Sequence, residues 1–366
     1  MNSILERIPS KVTLGDITIR DGFQHEEKTI STGAKLYYAE QLILAGFRRI
    51  EVTNLGNSRR MPQFRDSLEL LKLLRGSRAI AKAGIDWKDI ELTTVTIRES
   101  AVDQAIEAKQ QGFGPDRILM MVSTDEEHHY ANSGLTLPEY WKEAERCIRK
   151  ASDAGIKTNG TVSTIWGSPI SGPTDMKEAV RFTRHWLEIG AADVEHADHD
   201  GSSTPADVYR YFSMLLDEIP DPMLHIAHFH STRGFGIANV FAALCAGICC
   251  FESTLGGLGG QPANFIDDTP IDGTGGYYYK NPMEVGLVCT EDIVLMFDEM
   301  GIQTGVDIEQ VLALGRSMEK TIGRRLRSEA INQGPIPRLP NEAYKRNGLS
   351  DRKTRAGESA GQKFPV

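Results

Sequence analysis

Apolar and polar positions along this chain follow two alternating periods. Short β-capable runs rich in Val, Ile, Leu and Thr recur near 12–19, 47–53, 90–97, 117–123, 157–164, 193–198, 223–230 and 248–254. Between them, and after the last, apolar residues fall at the helical spacing of i, i+3, i+4 and i+7, near 32–45, 64–75, 99–112, 138–154, 175–189, 205–217, 234–246 and 291–301. Strand–helix pairs repeating every 30–40 residues or so predict a parallel sheet with helical crossovers. No glycine-rich dinucleotide fingerprint follows the first strand, so the pattern predicts an α/β fold of the (β/α)8 TIM-barrel kind rather than a doubly wound sheet. A further helix near 306–325 completes a barrel domain over residues 1–325. Residues 326–366 form a C-terminal extension. Its last twenty residues, NGLSDRKTRAGESAGQKFPV, predict a solvated or disordered tail, with ordering on a partner subunit as the alternative.

The barrel gives certain residues a common address, because active sites of this architecture sit at the C-terminal ends of the strands. The seventh strand runs through LHIAHFHSTR, Leu224 to Arg233, and carries His228 and His230. Residues i and i+2 of a strand point the same way, and neutral imidazole is the commonest protein ligand for a divalent metal. The first strand leads into DITIRDGFQ, with Arg20-Asp21-Gly22 at its end. Strands 1 and 7 share inward-pointing layers, so Asp21, His228 and His230 can converge on one cation. The same rim collects Glu51, inside the apolar run Ile50-Glu51-Val52-Thr53-Asn54, and the charged stretch Glu195-His196-Ala197-Asp198-His199-Asp200. A solvated loop accounts for some of these charges but not for Glu51 within an apolar strand.

One carboxylate and two imidazoles leave open positions on a Mg, Mn, Co or Zn ion. Such an ion chelates a 2-oxo acid or hydroxy acid and polarises the oxygen that gains charge. Arg20, permanently protonated, is suited to stabilise an enolate oxygen beside it. That is equipment for making or breaking a carbon–carbon bond next to a carbonyl. The Schiff-base alternative lacks its lysine, since Lys157 begins the fifth strand instead of closing it.

Composition narrows the setting. A net charge of −9 over 366 residues argues against nucleic acid as the partner. The N-terminus has no apolar leader, and no apolar run reaches membrane-spanning length, so neither secretion nor a membrane is expected. The cysteines, Cys147, Cys245, Cys249, Cys250 and Cys289, lack Cys-x-x-Cys spacing and fit a reducing cytoplasm.

Taken together these stretches resemble the DRE-TIM metallolyases, the metal-dependent aldol and Claisen enzymes that include HMG-CoA lyase and the isopropylmalate and homocitrate synthases. The resemblance covers roughly residues 11–325. It rests on Asp16-x-Thr18-x-Arg20-Asp21-Gly22-x-Gln24, Ile50-Glu51-Val52-Thr53, His228-x-His230, Ser253-x-Leu255-x-Gly257-Leu258-Gly259-Gly260 and Thr290-Glu291-Asp292. In order and length the HMG-CoA lyase branch is closer. The resemblance implies Asp21, His228 and His230 as metal ligands, Arg20 as the enolate-stabilising cation, Gln24 and Glu51 as supporting polar groups, and Asp198 as an acid after strand 6. It implies a carbon–carbon lyase acting on a hydroxyacyl substrate, here expected to differ from HMG-CoA and to be an acyl-CoA or a hydroxy or oxo acid, in a homodimer or larger homo-oligomer. A Claisen-type synthase and a non-catalytic metal-binding barrel are the alternatives.

Two positions depart from the family pattern. The lyases carry a catalytic Cys where this chain has Gln261, in Gly259-Gly260-Gln261-Pro262, and an Asn ligand where it has Leu287. Cys289 is the one cysteine placed to substitute for the thiol, and Asn264 could supply the lost ligand. Between Pro262 and Leu287 lies a long insert with Asp267, Asp268, Asp272 and Tyr277-Tyr278-Tyr279, expected to act as a lid. For proton transfer the candidates are Asp198, His196, His199 and His25.

Overall fold

The computed structural model describes residues 7–24, 26, 28–56, 61–259, 265–266, 269–270 and 286–336. Eight parallel strands pair in chain order and close on themselves: β1 (Thr13–Asp16), β2 (Arg49–Asn54), β3 (Glu91–Val95), β4 (Arg117–Ser123), β5 (Lys157–Ser163), β6 (Asp193–Asp198), β7 (His225–Phe229) and β8 (Cys250–Ser253). Closure is made by β8 against β1, with Gly15 opposite Glu252 and Asp16 opposite Ser253. The barrel is the predicted (β/α)8 fold.

Every predicted helix is present: α1 (Thr32–Leu44), α2 (Ser67–Arg75), α4 (Glu99–Gln110), α6 (Leu137–Asp153), α7 (Met176–Glu188), α8 (Pro205–Glu218), α9 (Gly236–Ala246), α10 (Thr290–Glu299) and α11 (Ile308–Ile322). Three short helices were not expected from the periodicity: α3 (Arg78–Lys82), α5 (Glu126–Ser133) and α12 (Glu329–Gln333). All three are too short, at five to eight residues, to show a repeating pattern. The last of them docks on α10, where Asp292 accepts from Ser328 Oγ at 2.7 Å and from Ala330 N at 2.9 Å.

Alternation sorts each strand into two chemistries. Ile50, Val52, Leu92, Ile118, Met120, Val122, Val194, Phe229 and Phe251 are buried and belong to the hydrophobic core. The other face of several strands is polar and fills the barrel's interior. At the N-terminal end buried Arg117 and Asp193 and half-buried Arg49 and Glu91 form an ion network, with Arg49 Nε to Glu91 Oε1 at 2.9 Å and Arg117 Nη2 to the same oxygen at 2.8 Å. Arg117 also pairs with Asp193, which Arg49 reaches across the barrel at 3.5 Å. Burial opposes ionisation of Glu91, but Arg117 and Arg49 outweigh it and hold its carboxyl at about 2. This plug stabilises the closed end and leaves the chemistry to the opposite mouth.

Candidate metal centre at the barrel mouth

The first strand is shorter than its apolar pattern suggests and stops at Asp16. Asp16 Oδ1 accepts from Thr18 N at 2.9 Å, and its other oxygen accepts from Thr290 Oγ1 at 2.9 Å. The chain then turns through a buried π-helical segment, Thr18–Gly22. Asp21 N and Gly22 N both donate to Ile17 O, at 2.8 and 3.2 Å. Arg20 and Asp21 therefore stand on this turn instead of on the strand itself. Single π turns are frequent at functional sites because they re-aim consecutive side chains.

Arg20 is gripped by Glu51 of β2. Its Nε donates to Glu51 Oε1 at 2.6 Å and Nη2 to Oε2 at 3.0 Å, a two-pronged fit of guanidinium to carboxylate. Nη1 approaches Gln24 Oε1 at 3.5 Å and Asp21 Oδ1 at 3.3 Å. Burial disfavours the guanidinium charge, yet Asp21 and Glu51 more than compensate and raise its proton affinity. Burial pushes Glu51 up to about 7, with Arg20 pulling the other way. Arg20, Asp21, Gln24 and Glu51 are thus brought together as the sequence reading expected.

The seventh strand delivers the histidines. His228 lies within β7, and His230 follows it by two residues, its amide donating to Asp198 O at 3.2 Å. The two rings are 5.3 Å apart, and His228 Nε2 is 3.7 Å from Asp21 Oδ2. One donor atom each from Asp21, His228 and His230 fall within 4.8 Å of one another, and all three residues are buried. A buried set of one carboxylate and two imidazoles fits a divalent cation, and the nearby guanidinium is already engaged by Glu51.

Two carboxylates behind this set escaped the sequence reading. Glu195 figured there only as one charge in a run, and Glu252 not at all. Both lie against His228: Nδ1 is 3.5 Å from Glu195 Oε1 and 3.5 Å from Glu252 Oε2. Burial pushes the Glu195 carboxyl well up, helped by Glu252 and Glu51. Burial would raise Glu252 too, but His228 outweighs it and holds that carboxylate low. The legible signal was an acid within an apolar strand, in Cys250-Phe251-Glu252-Ser253, the feature that had singled out Glu51.

The remaining candidates separate. Asp198 lies one residue beyond Ala197, the cross-strand neighbour of His228. Its carboxylate accepts from Ser203 Oγ at 2.6 Å and Ser203 N at 3.2 Å, and burial pushes it up to about 7. His196 bonds Tyr211 Oη at 2.8 Å and His225 Nδ1 at 3.1 Å, against α8 and away from the mouth. His199 is buried with its ring 5.0 Å from that of His128; burial lowers its proton affinity, Asp200 opposes the shift and the His228 imidazole adds to it. His25, Gln261, Asn264, Asp267, Asp268, Asp272 and Tyr277 to Tyr279 lie outside the described residues. Of the expected lid, the described part is a pairing of Phe265–Ile266 with Thr269–Pro270.

Leu287 occupies the place beside His230, with which it forms an isolated β-bridge. Gly259, at φ +114°, leaves room for it: a Cβ there would stand 2.3 Å from Leu287 Cδ1. Cys289 is buried, and burial together with Asp292 and Glu291 pushes its thiol well up. A thiol so placed is a poor nucleophile. Iodoacetamide is therefore expected to leave turnover of the metal-loaded protein intact, and Cys289→Ser to keep near wild-type activity. Inactivation by alkylation, prevented by substrate and matched by a dead Cys289→Ser, would instead make that thiol part of the chemistry.

Comparison with known proteins identifies the family and its fold. The HMGL-like family model matches residues 11–318. The hydroxymethylglutaryl-CoA lyase YngG of Bacillus subtilis is 28% identical over 324 residues, 88% of this chain and 97% of that protein. The (R)-citramalyl-CoA lyase of Chloroflexus aurantiacus is 27% identical over 327 residues, 89% of this chain and 95% of its own length. Among solved structures, an HMG-CoA lyase from Acinetobacter baumannii in complex with coenzyme A and 3-methylmalate superposes with a TM-score of 0.75 at 28% identity, covering 91% of this chain and 98% of that one.

Proposed function

We propose, from the premise that the chain belongs to the HMGL-like family and is a metal-dependent carbon–carbon lyase, that it cleaves a hydroxyacyl-CoA by retro-aldol chemistry through an enolate. The observation that carries this reading is the buried donor set of Asp21, His228 and His230 beside the Arg20–Glu51 fork. A Mg2+ or Mn2+ ion held by that set would supply Lewis-acid polarisation of the substrate oxygens. The CoA thioester class is supported by the citramalyl-CoA and HMG-CoA lyase relatives and by the coenzyme A bound to the Acinetobacter enzyme.

In this reading the chain's own groups divide the work. Arg20 presents a fixed positive charge to the oxygen that becomes the enolate, and Glu51 and Gln24 keep the guanidinium plane from swinging. The substrate hydroxyl loses its proton as the bond between the carbinol carbon and the α-carbon of the thioester breaks. The bonding pair passes to the α-carbon and delocalises as the enolate, the carbinol carbon becomes a carbonyl, and return of the proton taken from the hydroxyl to the α-carbon releases the shortened acyl-CoA. His199, buried and directly after the β6 strand end, takes the hydroxyl proton. Asp198, tied to Ser203, steadies the segment that carries it. The same reading takes residues 1–325 as the catalytic barrel and 326–366 as an extension, in a cytoplasmic homo-oligomer.

The test is a mass-spectrometric product screen over CoA thioesters and free hydroxy acids. A shortened acyl-CoA together with an oxo product is expected, abolished by EDTA and restored by Mn2+. Accumulation of a longer acid from an acyl-CoA and a 2-oxo acid would reverse the direction to a Claisen synthase. Metabolite binding without turnover of any substrate would favour a binding barrel.

A further inference from the structure

His228 has its two ring nitrogens in different company. Nε2 faces Asp21 at 3.7 Å, while Nδ1 lies 3.5 Å from an oxygen of Glu195 and 3.5 Å from an oxygen of Glu252. The three residues come from adjacent strands, with Glu252 directly opposite His228 in the β7–β8 register. All are buried, and among the described residues His228 Nδ1, Glu195 Oε2 and Glu252 Oε2 have no hydrogen bond of ordinary length. The barrel makes room for this: Gly15, opposite Glu252 in β1, lacks the Cβ that would stand 3.3 Å from Glu252 Cγ. Acids are not placed in a barrel interior at little cost. Two of them aimed at one nitrogen need a function that a single packing residue would not fill.

A ring nitrogen facing two carboxylate oxygens is favourable when it carries the proton. With the hydrogen on Nδ1, the lone pair of Nε2 points toward Asp21 and the cation position. Ligand histidines are commonly oriented this way by an acceptor behind the ring. We propose that Glu195 and Glu252 form a positioning pair that fixes His228 as its Nδ1–H tautomer and holds it, through Nε2, as a metal ligand. The inference rests on the metal reading of Asp21, His228 and His230. The competing arrangement is a second cation on Glu195, Glu252 and His228 Nδ1, whose donor atoms also lie within 4.8 Å of one another. It requires Nδ1 to give up its proton and His228 to bridge two ions.

The experiment uses the full chain. Mn2+ titration followed by electron paramagnetic resonance gives stoichiometry and affinity. Histidine-selective 15N spectra of the Mg2+-loaded protein, with His228→Gln to assign the signal, give the tautomer. Wild type should bind one Mn2+, and His228 should carry its proton on Nδ1. Glu252→Ala and the double Glu195→Ala/Glu252→Ala variant should lose Mn2+ affinity by about 10–100-fold, the range seen when partners behind metal ligands are removed. Glu252→Gln, which keeps a carbonyl oxygen toward Nδ1, should recover part of that loss. A proton on Nε2 in the wild type would overturn the proposal without any variant having to fold. Folded alanine variants with unchanged Mn2+ affinity would also overturn it, leaving the pair a packing feature. Two Mn2+ per wild-type chain, falling to one in the double variant, would replace it with the second-cation arrangement. Failure of the wild type to bind any Mn2+ would sink the metal reading and this inference together. Failure confined to the variants or the tautomer sinks only this one.

Discussion

Arg20→Lys is expected to lower turnover by about 10²–10³ while leaving Mn2+ affinity within a few-fold of wild type, the loss typical of removing one oxyanion-stabilising donor. Lysine keeps the charge but not the planar fork, and only the fork can engage both oxygens of Glu51 at once. An ammonium on a flexible stem would sit nearer Glu51 or Asp21 than the developing enolate, so the charge would be present but misplaced. Because Asp21 is also held through its backbone amide to Ile17 O at 2.8 Å, and His228 and His230 are placed by β7 and its end, metal binding should survive. Steady-state kcat with a parallel Mn2+ titration checks both halves. Turnover near wild type would reduce Arg20 to a structural partner of Glu51. Equal losses in turnover and affinity would mean that the π turn, and Asp21 with it, had moved.

What could be read from the chain beforehand depended on whether a residue's role followed from a repeating pattern. The barrel did, because strand and helix periods alternate for some three hundred residues and each strand carries an apolar outer face. The pairing of Asp21 with His228 and His230 followed from that regularity, since strand order alone brings the first and seventh strands to the same mouth. Local geometry that breaks the period was not legible. Residues 17–19 read as more strand, yet the bond from Thr18 N to Asp16 turns the chain into a π segment there. Helix α5, eight residues long, is too short to show amphipathicity and hid in the β4–α6 connection. Glu252 was missed because a lone acid between Phe251 and Ser253 has no partner in sequence; its partners, His228 and Glu195, arrive from strands 24 and 57 residues earlier. By charge pattern alone Asp198 and His196 are two titratable groups of one run, and only the family resemblance singled out Asp198. Alternation puts the two on one face of β6, and what separates them is the neighbour each meets: Tyr211 of α8 for His196 and Ser203, in the loop after the strand, for Asp198.

The largest effect is expected from Asp21→Ala, which should abolish turnover and weaken Mn2+ binding by more than the 10–100-fold or so typical of losing a group behind a ligand. The reason lies in the small size of the donor set. Asp21 is its one carboxylate, so the substitution leaves two neutral imidazoles to hold a hard dication that prefers oxygen. Nothing among the described residues can compensate at the next position, since Leu287 fills the space beside His230 with an apolar side chain seated over Gly259. The inner acids cannot reach forward either: Glu195 and Glu252 face the far nitrogen of His228. The loss should therefore not be recovered by raising Mn2+ into the millimolar range, whereas Asp21→Glu, with an oxygen donor on a longer stem, should regain part of the binding. The folded state should tolerate the change, because Arg20, 3.3 Å from Asp21, keeps its shorter contact with Glu51 at 2.6 Å. Mn2+ titration of Asp21→Ala, with a thermal melt to establish that the barrel is intact, separates the outcomes. A well-folded variant that binds Mn2+ as tightly as wild type would show that the cation sits elsewhere, and the assignment of Asp21, His228 and His230 as its ligands would fall.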